Sequence, residues 1–219
     1  MKKNQAIAKS NSVIVYGCVV VLILVTLVAN ISPALAHHGM GGKLPSTTME
    51  GLLSGLAHPV IGIDHLAFVV GVGLLASLGK RMGIMIPLFI FSTAMGTIIH
   101  LQNINLPIVE IVVAASVLSV GIFLAQVYRA NLSYLVLLSA IAGIFHGYAY
   151  GESIIGAQTS AVGAYLLGFC LMQLVISAIA FYVGKRVIQN SVTTQSPLSL
   201  AGLIITGVGL AFLSTSFVG

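Results

Sequence analysis

Three side chains that bind metals well, His58, Asp64 and His65, lie close together at the start of an apolar segment. Pro59 is favoured at the first position of a helix and disfavours helical dihedral angles at the residue before it. We therefore expect one continuous helix to begin at Pro59, with His58 at or near its N-cap. At about 100° per residue the imidazoles of His58 and His65 then lie on nearly the same face of the helix. The carboxylate of Asp64 is displaced from them by about 100° around the helix axis. The pattern predicts part of a metal site. A locally capping aspartate and histidines that hydrogen-bond neighbouring helices are the alternative.

A second group of candidate ligands closes a later apolar run. Residues 145–152 read FHGYAYGE, which places His146 and Tyr150 one turn apart and Glu152 at the helix end. His100 closes one earlier run and Glu110 opens the next. A single histidine in such a run is more often a helix–helix hydrogen bond than a ligand. This second group therefore contributes to metal binding only if the fold brings it next to His58, Asp64 and His65.

The composition is typical of an integral membrane protein. Of the 219 residues, 58% are hydrophobic and 6% are charged, against roughly 25% charged residues in an ordinary soluble domain. The fold class we expect is all-α, with one bundle of six transmembrane helices of about 20 residues each. The apolar runs cover about 56–78, 82–101, 107–127, 132–151, 160–184 and 198–218. The basic residues are scattered rather than patched, so nucleic acid is not indicated as a partner.

The loops predict an orientation in the bilayer. Basic residues follow the first, third and fifth apolar runs, and the loops after the other runs hold none. The basic residues in question are Lys80, Arg81, Arg129, Lys185 and Arg186. By the positive-inside rule, both ends of the mature chain lie outside, in the inner membrane of a bacterium. His65 and His146 then each lie roughly 8–9 Å below the outer surface. All histidines and acidic residues fall in the outer half, for which one shared site is the simplest explanation.

The first 36 residues have the pattern of a signal peptide. A basic start precedes an apolar core over 13–28 and a small-x-small site at 34–36; an uncleaved helix is the alternative. Cleavage after Ala36 would expose His37 and His38, which with a free amine and a backbone amide can chelate a divalent metal. An ordinary polar start is the alternative. The expected organisation is signal peptide 1–36, an exoplasmic metal-capturing segment 37–55 and a transmembrane domain 56–219.

Two further patterns concern how the helices pack. Gly51 with Gly55, and Gly143 with Gly147, have the spacing that lets helix backbones approach closely. The six runs also divide into two sets of three with opposite orientation, each opening with a histidine-and-carboxylate motif. This division suggests a 3+3 inverted repeat.

The donor set of the predicted site is imidazole and carboxylate, with no thiolate near it. Such donors suit Ni²⁺, Co²⁺, Zn²⁺ and Cu²⁺, whereas Mg²⁺ and Ca²⁺ prefer more oxygen. The residues we expect to hold the ion are His58, Asp64, His65, His146, Glu152, Glu110, His37 and His38.

The motifs together resemble the HupE/UreJ family over essentially the whole mature chain. The resemblance rests on His58-x5-Asp64-His65, on Pro107-x-x-Glu110 with the sequence ASV at 115–117, and on FHGYA at 145–149. It implies a small permease that supplies nickel to hydrogenase or urease, with cobalt or another divalent ion handled by some relatives. The family commonly has a second histidine where this chain has Tyr150. That difference leaves the identity of the metal open.

The function we expect is uptake of a divalent transition metal, most simply Ni²⁺ or Co²⁺, with the lipid bilayer and the ion as partners. No ATP-binding motif is present in the chain. The membrane potential is the expected driving force, and an ATP-driven pump in a separate subunit is the alternative. A membrane-embedded metallohydrolase with Glu152 or Asp64 as general base is the rival enzyme hypothesis. A non-transporting protein that only holds metal is a third hypothesis. The sequence leaves the oligomeric state open, including a homo-oligomer.

Overall fold

This computed structural model describes residues 44–126, 131–190 and 197–218, and all regular structure in those ranges is helical. After a 3-10 turn at Met82–Ile84 is set apart, the described ranges hold seven α-helices: α1 (Thr48–Ile61), α2 (Ile63–Ser77), α3 (Met85–Leu101), α4 (Val109–Ala125), α5 (Leu132–Glu152), α6 (Thr159–Asn190) and α7 (Pro197–Val218). The predicted signal peptide, His37, His38 and Arg129 lie outside the described residues.

Four helical segments are long and apolar enough to cross a membrane. They are Met82–Leu101, Leu132–Glu152, Thr159–Gln189 and Pro197–Phe217, and they match the second, fourth, fifth and sixth predicted spans. Helix α4 has 17 residues and fills the third predicted span, but it is shorter than the other four. An all-helical membrane fold is therefore confirmed over the described residues. The number of six spans and their orientation remain predictions.

The first predicted span consists of two helices rather than one. Helices α1 and α2 are bent by 78° at the break between them. Helix α1 already begins at Thr48, where the side chains of Thr47 and Glu50 form a capping box. That pairing satisfies backbone N–H groups at the helix start. Residues 48–55, which the sequence analysis assigned to the exoplasmic segment, are therefore helical.

The expectation that His58 caps a helix starting at Pro59 is wrong. Both residues lie in the last turn of α1. Because Pro59 has no N–H, it cannot bond the carbonyl of Gly55, and this weakens the end of α1 instead of opening a new helix. The chain leaves the helix at Gly62, which is extended with φ −73° and ψ 106°. A Cβ at Gly62 would lie 2.7 Å from Cδ2 of His65, so the bend has no room for a side chain.

Three helix pairs make the most extensive contacts: α3 with α5, α4 with α7, and α1 with α6. The predicted glycine motifs lie in these contacts. A Cβ on Gly51 or Gly55 would overlap the backbone of α6, and one on Gly143 or Gly147 would crowd α3. Close backbone approach at both motifs is therefore confirmed.

The two ends of the bundle differ in charge. Lys80 and Arg81 follow α2, and Lys185 and Arg186 lie in the last turns of α6. These two ends are neighbours, because a Cβ on Gly184 would overlap the side chain of Ser77. Between this basic end and the opposite one lies the apolar core, formed by Phe68, Val72, Leu75, Phe89, Leu124 and Leu135 among others.

Replacing Gly147 with alanine should destabilise the protein, because the new Cβ would overlap the Thr93 carbonyl on α3. We expect a loss of about 1–3 kcal/mol, measured as a lower thermal unfolding midpoint in detergent. Gly163→Ala on α6 is the matched control, because its Cβ would meet nothing within 4 Å. Equal unfolding midpoints for the two variants would contradict the close contact of α3 and α5.

Candidate metal site

A cavity of about 190 Å³ lies at the end of the bundle opposite the basic residues. The starts of α2 and α4 and the ends of α3, α5 and α7 surround it. Its titratable lining side chains are Asp64, His65, His100, Glu110 and Glu152, joined by Tyr148. Three of the four acidic residues of the chain thus share one space. Carboxylates gathered in a cleft with apolar walls raise the local concentration of cations.

His65 and His146 contact each other behind this cavity, and both are buried. Their Nδ1 atoms are 2.9 Å apart. The other nitrogen of His146, Nε2, is 2.9 Å from Oγ of Ser116, whose hydroxyl donates to the Val113 carbonyl at 2.7 Å. Because the serine proton is already used, Nε2 of His146 donates, and Nδ1 of the neutral ring accepts from Nδ1–H of His65. The Nε2 atom of His65 therefore carries a lone pair rather than a proton.

His58 is held in a similar way by other helices. Its Nδ1 is 2.9 Å from the hydroxyl of Tyr165, which donates to the Tyr150 carbonyl at 2.9 Å. Ser153 lies 3.3 Å from the same nitrogen and donates to the same carbonyl at 3.0 Å. The two hydroxyls also lie 2.9 Å from each other, so a shared network of Tyr165, Ser153 and the Tyr150 carbonyl holds Nδ1 of His58.

His100 shows the same arrangement at the cavity wall. Its Nδ1 is 2.6 Å from the Tyr148 carbonyl, and its ring stacks on the Tyr148 ring with centroids 3.9 Å apart. A carbonyl can only accept, so Nδ1 donates and Nε2 carries the lone pair. Metal-ligating histidines usually donate their second ring N–H to such a partner. The sequence analysis noted His100 at the outer end of its run but did not include it among the candidate ligands.

The predicted ligands fall into two neighbouring groups. His58, His65 and His146 form a cluster, with ring centroids 5.7 Å apart for the first pair and 5.0 Å for the second. Glu110 and Glu152 line the cavity instead. Of the first motif, Asp64 and His65 also line the cavity, so His65 belongs to both groups. Among the described residues, no three His, Cys, Asp or Glu side chains are arranged to hold a metal ion as they stand. His65 and His146 direct nitrogen atoms at each other.

Aromatic side chains close the cluster toward the basic end. The ring of Phe68 lies 4.3 Å from that of His146, and Phe89 lies 5.3 Å from Phe68. Tyr150 packs on the other side, with its ring centroid 4.7 Å from His58 and 4.5 Å from His65. In this structure the cluster is therefore shut off from the basic end.

The side chains that hold the histidines were not predicted. Ser116, Ser153 and Tyr165 each contact an imidazole from a different helix. No local spacing relates such residues to a histidine about 30 to 107 positions away. Only Ser116 had a signal, since it lies in the 115–117 stretch that contributed to the family resemblance.

Comparison with known proteins agrees with the motifs. The family model described as HupE / UreJ protein matches residues 23–212. The chain belongs to the HupE/UreJ family. It is 28% identical over 193 residues to Protein HupE of Rhizobium leguminosarum bv. viciae, an alignment that covers 87% of this chain and 96% of that protein. No solved structure matches the chain. The match of the HupE/UreJ family includes every candidate ligand named above.

Substituting Ser116 with alanine should weaken metal binding at the cluster. The change removes the acceptor that fixes the tautomer of His146, and through it the proton position on His65. Loss of such an orienting partner lowers metal affinity about 10–100-fold, which equilibrium dialysis of purified protein with Ni²⁺ would measure. Ser119→Ala is the control, because that hydroxyl donates to a carbonyl of its own helix at 2.7 Å. The same Ni²⁺ affinity in both variants would show that Ser116 does not orient the cluster.

Proposed function

We propose that this protein is a membrane permease for uptake of a divalent transition-metal ion. Ni²⁺ and Co²⁺ are the preferred substrates, and Zn²⁺ and Cu²⁺ also suit the donors. One observation carries the proposal: His58, His65 and His100 each hold Nδ1 within hydrogen-bonding distance of a neighbouring oxygen or nitrogen. Histidines that bind metals are usually oriented in this way through their second ring nitrogen. Membership of the HupE/UreJ family supports the same function.

The spacing of the cluster supports one shared ion. Two imidazoles on one metal, with bonds of about 2 Å, have ring centroids roughly 5 Å apart. The separations of 5.7 Å and 5.0 Å are close to that value. Side-chain rotations that break the bond between His65 and His146 would turn their nitrogen atoms toward a common point beside Asp64.

The break at Gly62 supplies favourable electrostatics for a cation. The carbonyl end of a helix carries a partial negative charge, and α1 ends beside His58. The N-terminal end of α2 carries the opposite charge, which Asp64 in its first turn offsets. Discontinuous helices line the ion sites of many secondary transporters. The divided first span is therefore a part of the proposed site.

The cavity provides the approach to the cluster. In our proposal His37 and His38 capture the ion, Glu110 and Glu152 receive it at the exposed wall, and Asp64 and His65 replace its water. Asp64 and His65 are buried while the two glutamates are exposed. In this proposal the ion therefore passes from solvent-exposed ligands to buried ones.

The helix pairing supports an inverted repeat of three plus three spans. We count α1 and α2 as one span and exchange the first three spans with the last three. Under this exchange α1 is replaced by α5 and α6 by α3, so the α1–α6 pair becomes the α3–α5 pair. The α4–α7 pair is exchanged with itself. These three pairs make the most extensive helix contacts of the structure.

Rocking of one repeat against the other is a common route to alternating access. Such a motion would have to part Phe68 from Phe89 to release the ion. The membrane potential would drive it, at about 2.3 kcal/mol per charge per 100 mV.

Uptake of radioactive nickel or cobalt into membrane vesicles tests the proposal. Accumulation that rises with an inside-negative potential supports a permease. Tight binding without accumulation would instead support a protein that only holds metal.

Alanine substitutions of His58, Asp64 and His65 should each abolish accumulation while the protein still inserts. Each change removes a donor from the proposed site, and loss of one ligand leaves the dehydrated ion poorly compensated. His100→Ala should be milder, because His100 lies at the cavity wall rather than in the cluster. We expect it to raise the ion concentration needed for half-maximal uptake. Unchanged uptake in the His58, Asp64 and His65 variants alike would refute the site.

A further inference from the structure

A groove of about 410 Å³ runs along the outside of the bundle toward its basic end. Its walls are α6 and α7, which follow each other in the chain but make few contacts with each other. Its floor is α2, which packs against both walls. The lining consists entirely of aliphatic residues and proline. It includes Val70, Leu74, Ile176, Val183, Leu198 and Ala201. The groove shares no lining residue with the metal cavity and is a separate feature of the bundle.

The length of the groove matches one leaflet of a bilayer. On α6 its lining residues begin at Ile176 and reach Val187, eleven residues further along. At 1.5 Å per residue this distance is about 16 Å, and half of the hydrocarbon core of a bilayer is about 15 Å. Ile179 and Val183, between these two residues, are exposed. The acyl chain of a phospholipid covers the same distance, from the headgroup to the middle of the bilayer.

Arg186 provides a positive charge at the mouth of the groove. It follows Ile179 by seven residues and Val183 by three, so it lies on the same face of α6 as these two lining residues. The arginine side chain is exposed. The neighbouring Lys185 instead lies over the ring of Phe181, 5.5 Å from its centre. Arg186 is therefore the α6 residue that is placed to meet a charged group above the groove.

Two further basic residues lie at the same level. A Cβ on Gly184 would overlap Oγ of Ser77, so the end of α2 lies beside the last turns of α6. Lys80 and Arg81, three and four residues after Ser77, are both exposed there. Every acidic residue of the chain lies toward the opposite end: three line the metal cavity, and Glu50 lies in the first turn of α1, next to the start of α6. A ligand at the mouth of the groove therefore meets positive charge that no acidic side chain offsets.

We propose that this groove is a binding site for an anionic phospholipid. One acyl chain lies on α2 between α6 and α7, and the phosphate lies near Arg186, Lys80 and Arg81. Basic pockets between membrane helices bind anionic headgroups in this way. A second copy of the protein in the same orientation fits the groove less well, because its own basic end would lie beside this one without a carboxylate to pair with it. The lipid site does not depend on the proposed permease function.

The test uses tryptophan fluorescence, because the chain contains no tryptophan and a single introduced one reports the lipid beside it. Val183→Trp places the probe in the groove. The full-length variant is reconstituted in phosphatidylcholine vesicles that contain increasing amounts of brominated phosphatidylglycerol or brominated phosphatidylcholine as quencher. We expect the anionic lipid to quench at about one fifth of the mole fraction that the neutral lipid requires, which is the effect of one basic residue at a membrane surface.

A matched control places the probe at a similar depth outside the groove. Leu200 is exposed on α7, next to the lining residue Ala201, but does not itself line the groove. Leu200→Trp should be quenched by the two lipids alike. An equal preference for the anionic lipid at Leu200→Trp and Val183→Trp would show that the basic end attracts such lipids without a specific site, and the proposal would be wrong.

Two second substitutions in the Val183→Trp protein separate the charge from the groove. Arg186→Gln removes a charge, and Ala201→Phe fills the groove while every basic residue stays. Each should remove most of the preference for the anionic lipid. A preference that survives Ala201→Phe would overturn the proposal, as would equal quenching by both lipids in Val183→Trp itself. No quenching by either lipid would mean that protein, such as a second copy, fills the groove instead. If Val183→Trp inserts poorly, Ile179→Trp carries the probe in the same groove with the same expected outcomes.

Discussion

The arrangement of this site depends on the break between α1 and α2, within the first predicted span. A continuous helix satisfies its own backbone in lipid, and a break exposes polar groups that the surroundings must compensate. Here both helices that flank Gly62 pack against α6, and Gly51 and Gly55 bring α1 into close contact with it. The 78° bend places His58 and His65 on different helices while their rings stay 5.7 Å apart. Two imidazoles that a straight helix would stack two turns apart instead approach from different directions, as donors around one ion must.

The second constraint is that buried imidazoles must be hydrogen-bonded. In this bundle the partners come from neighbouring helices: Ser116 from α4 for His146, and Tyr165 from α6 for His58. The same bonds that satisfy the rings also decide which nitrogen carries the proton. Stability and chemistry are therefore linked, because a shift of either helix would change the proton position or the direction of an imidazole. In the present structure His65 and His146 are hydrogen-bonded to each other through their Nδ1 atoms.

Sequence reasoning predicted the features that local patterns encode. Hydropathy located the helices, the spacing of Gly143 and Gly147 predicted close packing, and the loop charges predicted that the acids and histidines gather at one end. It failed where tertiary contacts decide. Pro59 permits both a helix start and a helix end, and the capping pair of Thr47 and Glu50, not the proline, determined which occurred. The hydroxyl partners of the histidines carry no local signal, because serine and tyrosine are common in membrane helices for other reasons.

The order of ligands along the bundle has a physical consequence for transport. Carboxylates at an exposed wall attract a hydrated ion at little cost, since they remain in water themselves. Buried imidazoles can replace that water, but an ion bound only by strong donors would not leave. The half of the described bundle near the basic end, beyond Phe68 and Phe89, offers no carboxylate or imidazole to hold an ion. In the proposed permease, release toward the basic end would then require that the apolar contacts part and that the imidazoles let go of the ion, because no strong ligand on that side would draw it away.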